Sequence, residues 1–314
     1  MLQIIIKRSL VAIPTLFLVS LIIFSMQKLL PGDPALMLAG EVRDPAVLDM
    51  IRQKYHLDQS LIVQYQYWIT QILTGDFGLS LRTEVPVSTL IAQKLPVTFQ
   101  LSVVAIILAL LIGVPAGVIS AVRQNSLIDY AVNLISLGGM SIPNFWLGII
   151  LILVVSVNLG LLPASGFVSI TNDPSAFLAS VIMPAFVLST PISAYLMRHT
   201  RSAMLGVLKS DYIRTARAKG VPPYLVVLKH ALRNALTPIV TMTTLLFGEL
   251  LAGAVLTEQI FGIPGFGKLI VDAVFARDYA VVQGVVLLTA ALFILLNLVA
   301  DILYFLITPR MRYA

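Results

Sequence analysis

A chain of 314 residues that is 58% hydrophobic and only 11% charged, with a mean hydropathy of +0.95, is not a soluble domain, which carries about a quarter charged residues. It has no cysteine, which excludes a disulfide framework, a thiolate nucleophile and a zinc–thiolate site, and His56, His199 and His230 are too scattered for metal-ligand spacing. The +6 formal charge and pI near 9.6 would suit nucleic acid, but membrane topology accounts better for most of the excess.

In chain order, Lys7 and Arg8 precede an apolar run from Ser9 to Met26. The run is long for a signal-peptide core and no small-x-small cleavage site follows, so residues 1–30 are expected to be an N-terminal segment and an uncleaved first transmembrane helix. Residues 31–96 are too long for a connector and carry aromatic and amphipathic patches such as Leu61–Trp68. They are expected to fold as a small external subdomain. Five further apolar stretches with no more than one charged residue each are long enough to cross about 30 Å of hydrocarbon. The six expected spans lie near 9–30, 97–122, 131–158, 178–198, 236–257 and 280–307. The fold class is therefore all-α integral membrane. Residues 97–308 form a five-helix core that includes a polar loop at 199–235, and residues 309–314 are a tail. Pro115, Pro143, Pro184 and Pro191 interrupt the spans, which a membrane helix tolerates where neighbours satisfy the freed carbonyls. Gly113-x-x-x-Gly117 permits close packing on another helix.

Lys and Arg in short loops set orientation. With the N-terminus inside, Lys7, Arg8, Arg123, the basic stretch from Arg198 to Arg233, Arg310 and Arg312 all fall on the inner side. The short outer loops hold only Lys268 and Arg277. Both termini are expected to be cytoplasmic, and so is the polar island Ser210–Pro238. Within it, Ser210 or Asp211 can cap a short helix, Gly220 can end it in the left-handed conformation and Pro222 cannot continue it. Ile213, Ala216, Arg217 and Gly220 share one narrow face. Spacing alone leaves two readings, a helix that plugs into a cytoplasmic partner and an ordinary solvated loop.

Two carboxylates fall within spans: Glu249 in the fifth and Asp301 near the inner end of the sixth. A charge at such depth must face a partner or water. Glu249 either lines a path or gate or makes a helix–helix hydrogen bond; Asp301 reads as a packing or snorkelling group. Asn144, after Pro143, either lines a kinked pore or satisfies backbone. Gly262-Ile-Pro-Gly-Phe-Gly-Lys268 fits the G-x-x-x-x-G-K pattern, but Leu269 stands where a phosphate loop needs Ser or Thr, Pro264 removes an amide, and the segment faces outside. It reads as a turn before an outer interfacial helix. No intramembrane catalytic set is present, so the chain is not expected to be an enzyme.

Arg214-Thr-Ala216-Arg217-Ala-Lys219-Gly220, followed by His230-Ala-Leu-Arg-Asn234 and Pro238, resembles the coupling-loop motif of ABC importer permeases, in the form used by the dipeptide/oligopeptide/nickel branch. The general motif is Glu-Ala-Ala, three residues, then Gly. Arg214 and Thr215 stand where Glu and the first Ala would be, while Ala216 and Gly220 match. The resemblance runs through nearly the whole chain: Pro31–Ala35, Leu57–Leu61, Gly75–Gly78, Leu95–Thr98, Ser141–Gly148, Leu162–Gly166 and Phe261–Gly267. It implies a permease subunit in a bacterial plasma (inner) membrane, importing small peptides, with nickel chelates or glutathione-like peptides as alternatives. It also implies a second homologous permease, two cytoplasmic ATPases that bind ATP and magnesium, and an external solute-binding protein. Asp211, Arg214, Ala216, Arg217, Lys219 and Gly220 would couple to the ATPases, and this chain would hold no cofactor or metal. A self-sufficient carrier driven by ions through Glu249 and Asp301 is the reading from a different class; no internal inverted repeat supports it. A channel would show a polar pore-lining helix, and none is evident.

Overall fold

The computed structural model describes residues 2–29, 35, 39, 44–54 and 56–307. Pro31–Pro34 and the tail 309–314, with Arg310 and Arg312, lie outside the described residues. Helix α1 (Leu2–Leu29) is followed by two short helices, α2 (Pro45–Lys54) and α3 (Leu61–Leu73), and by an antiparallel bridge between Leu79 and Pro86. The remaining elements are α4 (Val87–Val122), α5 (Leu127–Ser141), α6 (Asn144–Leu151), α7 (Pro174–Leu208), α8 (Asp211–Ala218), α9 (Arg233–Gly253), α10 (Val255–Ile260), α11 (Phe266–Phe275) and α12 (Tyr279–Ile307). α6 runs on as a π-helix, Ile152–Asn158, and α9 is entered through Pro223–Leu225 and a second π-helix, Val226–Leu232.

Among the described residues four helices are long and apolar enough to cross a membrane, Val87–Val122, Pro174–Leu208, Pro223–Leu251 and Tyr279–Ile302, or up to five if a bent pair is one span. The apolar part of α1, Leu10–Met26, is shorter. The bent pair falls on the expected third span, which Pro143 interrupts. Residues 131–158 are not one continuous crossing; Leu127–Ser141 and Asn144–Asn158 meet at 96°. Proline forces the residue before it out of the α region, and Ile142 is accordingly extended, with φ −75° and ψ 122°. Each arm of 15 residues is about 22 Å long at 1.5 Å per residue, less than the hydrocarbon thickness.

α4 and α7 are the central pair. At 36 and 35 residues each is over 50 Å long by the same rise, roughly 20 Å more than the hydrocarbon it crosses. Lipid tails are as apolar as leucine, so packing must hold the pair together. Gly113 and Gly117 provide it: a Cβ at Gly113 would lie 2.8 Å from the Ser193 carbonyl, and one at Gly117 would lie 2.6 Å from that of Met197. The small-residue motif therefore joins two helices of the same chain. Leu101, Ala105 and Ala109 of α4 pack with Val181, Leu188 and Leu196 of α7 and with Ile239, Leu246 and Leu250 of α9. α12 packs along α9 and α1, and Asp301 meets Arg8 (Nη2 to Oδ1, 2.9 Å), which ties the last helix to the first.

Helix α3 leans on α1. Tyr65 and Ser20 share a hydrogen bond of 2.7 Å, Phe17 and Phe24 meet the Tyr65 ring edge-on, and Trp68 packs against Phe24. Tyr67 stacks on His56 at 3.7 Å. The aromatic patch within Leu61–Trp68 is thus shared with the first long helix.

Candidate functional site

The polar island is more helical than its sequence suggested. α7 continues to Leu208 and helix resumes at Pro223, so the expected loop 199–235 contracts to a connector around α8. α8 begins after Ser210, extended at φ −73° and ψ 152°, whose hydroxyl donates to the Val207 carbonyl rather than capping the new helix. Gly220 has φ +75°, the left-handed conformation expected of a glycine that ends a helix. No atom lies within 4 Å of the Cβ it lacks.

The packing decides which side of α8 faces the chain. Ile213 is fully buried, seated among Val118, Ala121, Met204, Val226, Ala231 and Ala235, with Ala216 against the same cluster. That side of α8 is its attachment to the chain. Asp211, Arg214, Arg217, Lys219 and Gly220 are exposed, and the only ion pair α8 makes among the described residues is a surface one, Arg214 with Asp211 at 3.4 Å. Tyr212 and Asn234 add a second tether: the Asn234 amide donates to Tyr212 Oη (2.8 Å) and to the His230 carbonyl (2.9 Å). The π-helix Val226–Leu232, which carries His230, therefore joins α8 to α9.

Behind α8, Arg201 of α7 donates from Nε and Nη2 to both oxygens of Asp129 on α5, at 2.7 and 2.8 Å. Ser120 and Asn133 donate to the same carboxylate. A forked pair of this kind is directional as well as strong. It fixes α4, α5 and α7 at their shared end, and 72 residues separate its partners, so no local spacing announces it.

At the other end of α4 the G-x-x-x-x-G-K segment resolves chemically. Glu258 of α10 is completely buried. Thr98 donates to one of its oxygens at 2.5 Å, the Lys268 amide donates to the other at 2.7 Å, and the Thr98 hydroxyl accepts the Phe266 amide at 2.7 Å. The start of α11 offers free amides, as every helix N-terminus does, and the anion it holds is the chain's own carboxylate. A Cβ at Gly265 would collide with that carboxyl group. A nucleotide phosphate has no room there. Burial pushes the Glu258 carboxyl above its ordinary range, against the lowering effect of the Thr98, Lys268 and Gly267 hydrogen bonds. Gly166 donates to the Phe261 carbonyl at 2.9 Å, which brings the loop after the bent pair into the same knot.

Asn144 is half-buried at the first position of α6, and Glu249 is exposed on α9 with no hydrogen bond among the described residues. No hydrogen bond joins the two. No group of three or more potential metal ligands occurs among the described residues.

Residues 113–313 match the family described as binding-protein-dependent transport system inner membrane component, and residues 1–102 match its N-terminal companion. The chain is 45% identical over 312 residues to the oligopeptide transport system permease protein AppB of Bacillus subtilis (strain 168), covering 98% of this chain and 99% of that one. It is 44% identical over 313 residues to the glutathione transport system permease protein GsiC of Escherichia coli (strain K12), covering both chains fully. A solved structure of the MetNI methionine ABC transporter in an inward-facing conformation shares the fold, with a TM-score of 0.57 at 21% identity over 70% of this chain and 96% of that one. The chain belongs to the permeases that form the inner-membrane components of binding-protein-dependent transport systems.

Proposed function

We propose that this chain is one of two homologous permease subunits of an ATP-driven importer for small peptides. It works with two cytoplasmic ATPases and an external solute-binding protein, in a bacterial inner membrane with both termini cytoplasmic. α1 and the bent pair count as membrane segments in this reading, giving six with the four long helices, and α2 and α3 form the external subdomain. The chain itself is not catalytic; ATP and magnesium belong to the ATPases.

The observation that carries the reading is α8. A two-turn helix is not stable alone in water, and this one is held by Ile213 in an apolar socket while its other side stays exposed and basic. Asp211, Arg214, Arg217, Lys219 and Gly220 supply the surface for the ATPase, with Ala216 at its edge. When the ATPases close on ATP, force on that surface passes through Ile213 to α4 and α7, and through Tyr212 and Asn234 to α9. The spans reorient, and the peptide crosses between the two permeases along a path that Asn144 and Glu249 border.

Reconstitution tests this directly. Vesicles holding both permeases should take up peptide only with the ATPases, ATP and the binding protein present. Uptake driven by an ion gradient without ATPases would replace the importer by a carrier.

A further inference from the structure

We propose that Glu249 is the counter-ion for the protonated amino terminus of the peptide as it crosses. This rests on the reading of the chain as a peptide permease and extends it to the chemistry of selection.

The argument starts from one face of α9. Ile239, Leu246 and Leu250 are buried in the core, and Phe293 and Leu296 of α12 pack at Gly248. On the side left open, Asn234, Pro238, Leu245 and Glu249 are all exposed. Their spacings of four, seven and four place them within about 60° around an α-helix. The stripe runs most of the length of the helix, with an amide at the cytoplasmic end and a carboxylate near the other. Lipid does not accept it, because a carboxylate at that depth faces protein or water. Among the described residues nothing pairs with it: Glu249 is exposed and has no hydrogen bond or ion pair there. The other carboxylates near membrane depth are engaged, Asp129 by Arg201, Asp301 by Arg8 and Glu258 by Thr98. Among them Glu249 is the one left exposed, and in the proposed complex its open side faces the path between the two permeases. A zwitterionic peptide brings an ammonium group that matches it. A lone carboxylate lowers the cost of moving that cation through a narrow path while leaving the side chains of the cargo unread.

The chain has no cysteine, so Glu249→Cys can be labelled at one site in this subunit, in complexes whose other subunits have been made cysteine-free. A water-soluble cationic thiol reagent should modify it in at least one nucleotide state. No reaction in any state would place the residue in lipid or a dry interface and overturn the proposal. The second arm measures ATP-dependent uptake of trialanine and of propionyl-dialanine, the same molecule without its amino group, at saturating loaded binding protein. Glu249→Gln should lower kcat for trialanine about tenfold, with KM for the loaded binding protein unchanged, and alter uptake of the desamino analogue less than about twofold. Glu249→Asp should retain the discrimination. Equal loss for both substrates would assign Glu249 to the scaffold or gate and refute the ammonium contact. If wild type carries neither substrate while the cysteine remains water-accessible, the peptide reading fails together with the ammonium partner, and only the path position of Glu249 survives.

Discussion

The two ends of α4 are finished in opposite ways. At one end, Thr98, Glu258 and the amides of Phe266 and Lys268 form a closed, buried polar knot in which Gly265 leaves no spare volume. At the other, beyond the Asp129–Arg201 pair, α8 hangs on one apolar side chain and a tyrosine–asparagine hydrogen bond, with its basic side open. The difference teaches where this molecule is complete by itself. The knot satisfies every group it buries. The α8 end satisfies only its attachment and leaves a basic surface exposed, the one proposed above to meet the ATPases.

If the comparison is right, changes at the knot cost folding and changes on the open face of α8 cost only transport. The largest effect is expected from Glu258→Ala, which strands the Thr98 hydroxyl and the α11 amides in a dry site. Each buried group left unpaired costs about 1–3 kcal/mol, so the variant should give little assembled complex, read as yield and as melting temperature in detergent. Glu258→Gln replaces one acceptor with a donor facing the Lys268 amide and should fall between. Gly117→Leu belongs to the same class, because its Cβ would meet the Met197 carbonyl; loss of the folded chain is expected there too.

Ile213→Ala comes next. Ile213 is fully buried in the socket that holds α8, so truncation should cost about 2–4 kcal/mol at that end alone. The expected readout is faster hydrogen exchange over residues 208–222 and weaker coupling, with the melting temperature of the remainder little changed. Gly220→Val should be milder for folding. Open space surrounds the missing Cβ, but φ is +75°, and a β-branched residue is strained there by about 1–2 kcal/mol. Uptake per ATP hydrolysed should fall while membrane insertion is normal. The smallest effect on stability is expected from Arg214→Ala. Its pair with Asp211 is almost fully exposed, and such pairs contribute next to nothing; a clear drop in melting temperature would show that the open face is not open.

Much of this contrast was legible in the sequence at the level of elements. Long apolar runs marked the central helices, Gly113 and Gly117 marked a close helix contact, and Gly220 with Pro222 marked the end of α8. Three things were not. The inward side of α8 is not legible because Ile213, Ala216, Arg217 and Gly220 share a helical face whichever way that face points; only the socket built from α4, α7 and the π-helix decides it. Glu258 was passed over because it lies between two apolar stretches, and its partner Thr98 is 160 residues away. The 96° break at Ile142–Pro143 was read as a kink, since a proline shows where a helix is interrupted and tertiary packing sets the angle.

The claim that most needs testing is that the exposed side of α8 is where the ATPases push. Single cysteines at Ile213, Arg214 and Arg217, placed one at a time in this cysteine-free chain and treated with a short bifunctional reagent in the assembled complex, would measure it. The account expects Arg214→Cys and Arg217→Cys to cross-link to the ATPase subunit, with yields that change between nucleotide-free and ATP-bound states, and Ile213→Cys not to react. Cross-linking through position 213, or none from 214 and 217 in a complex that still imports, would contradict it.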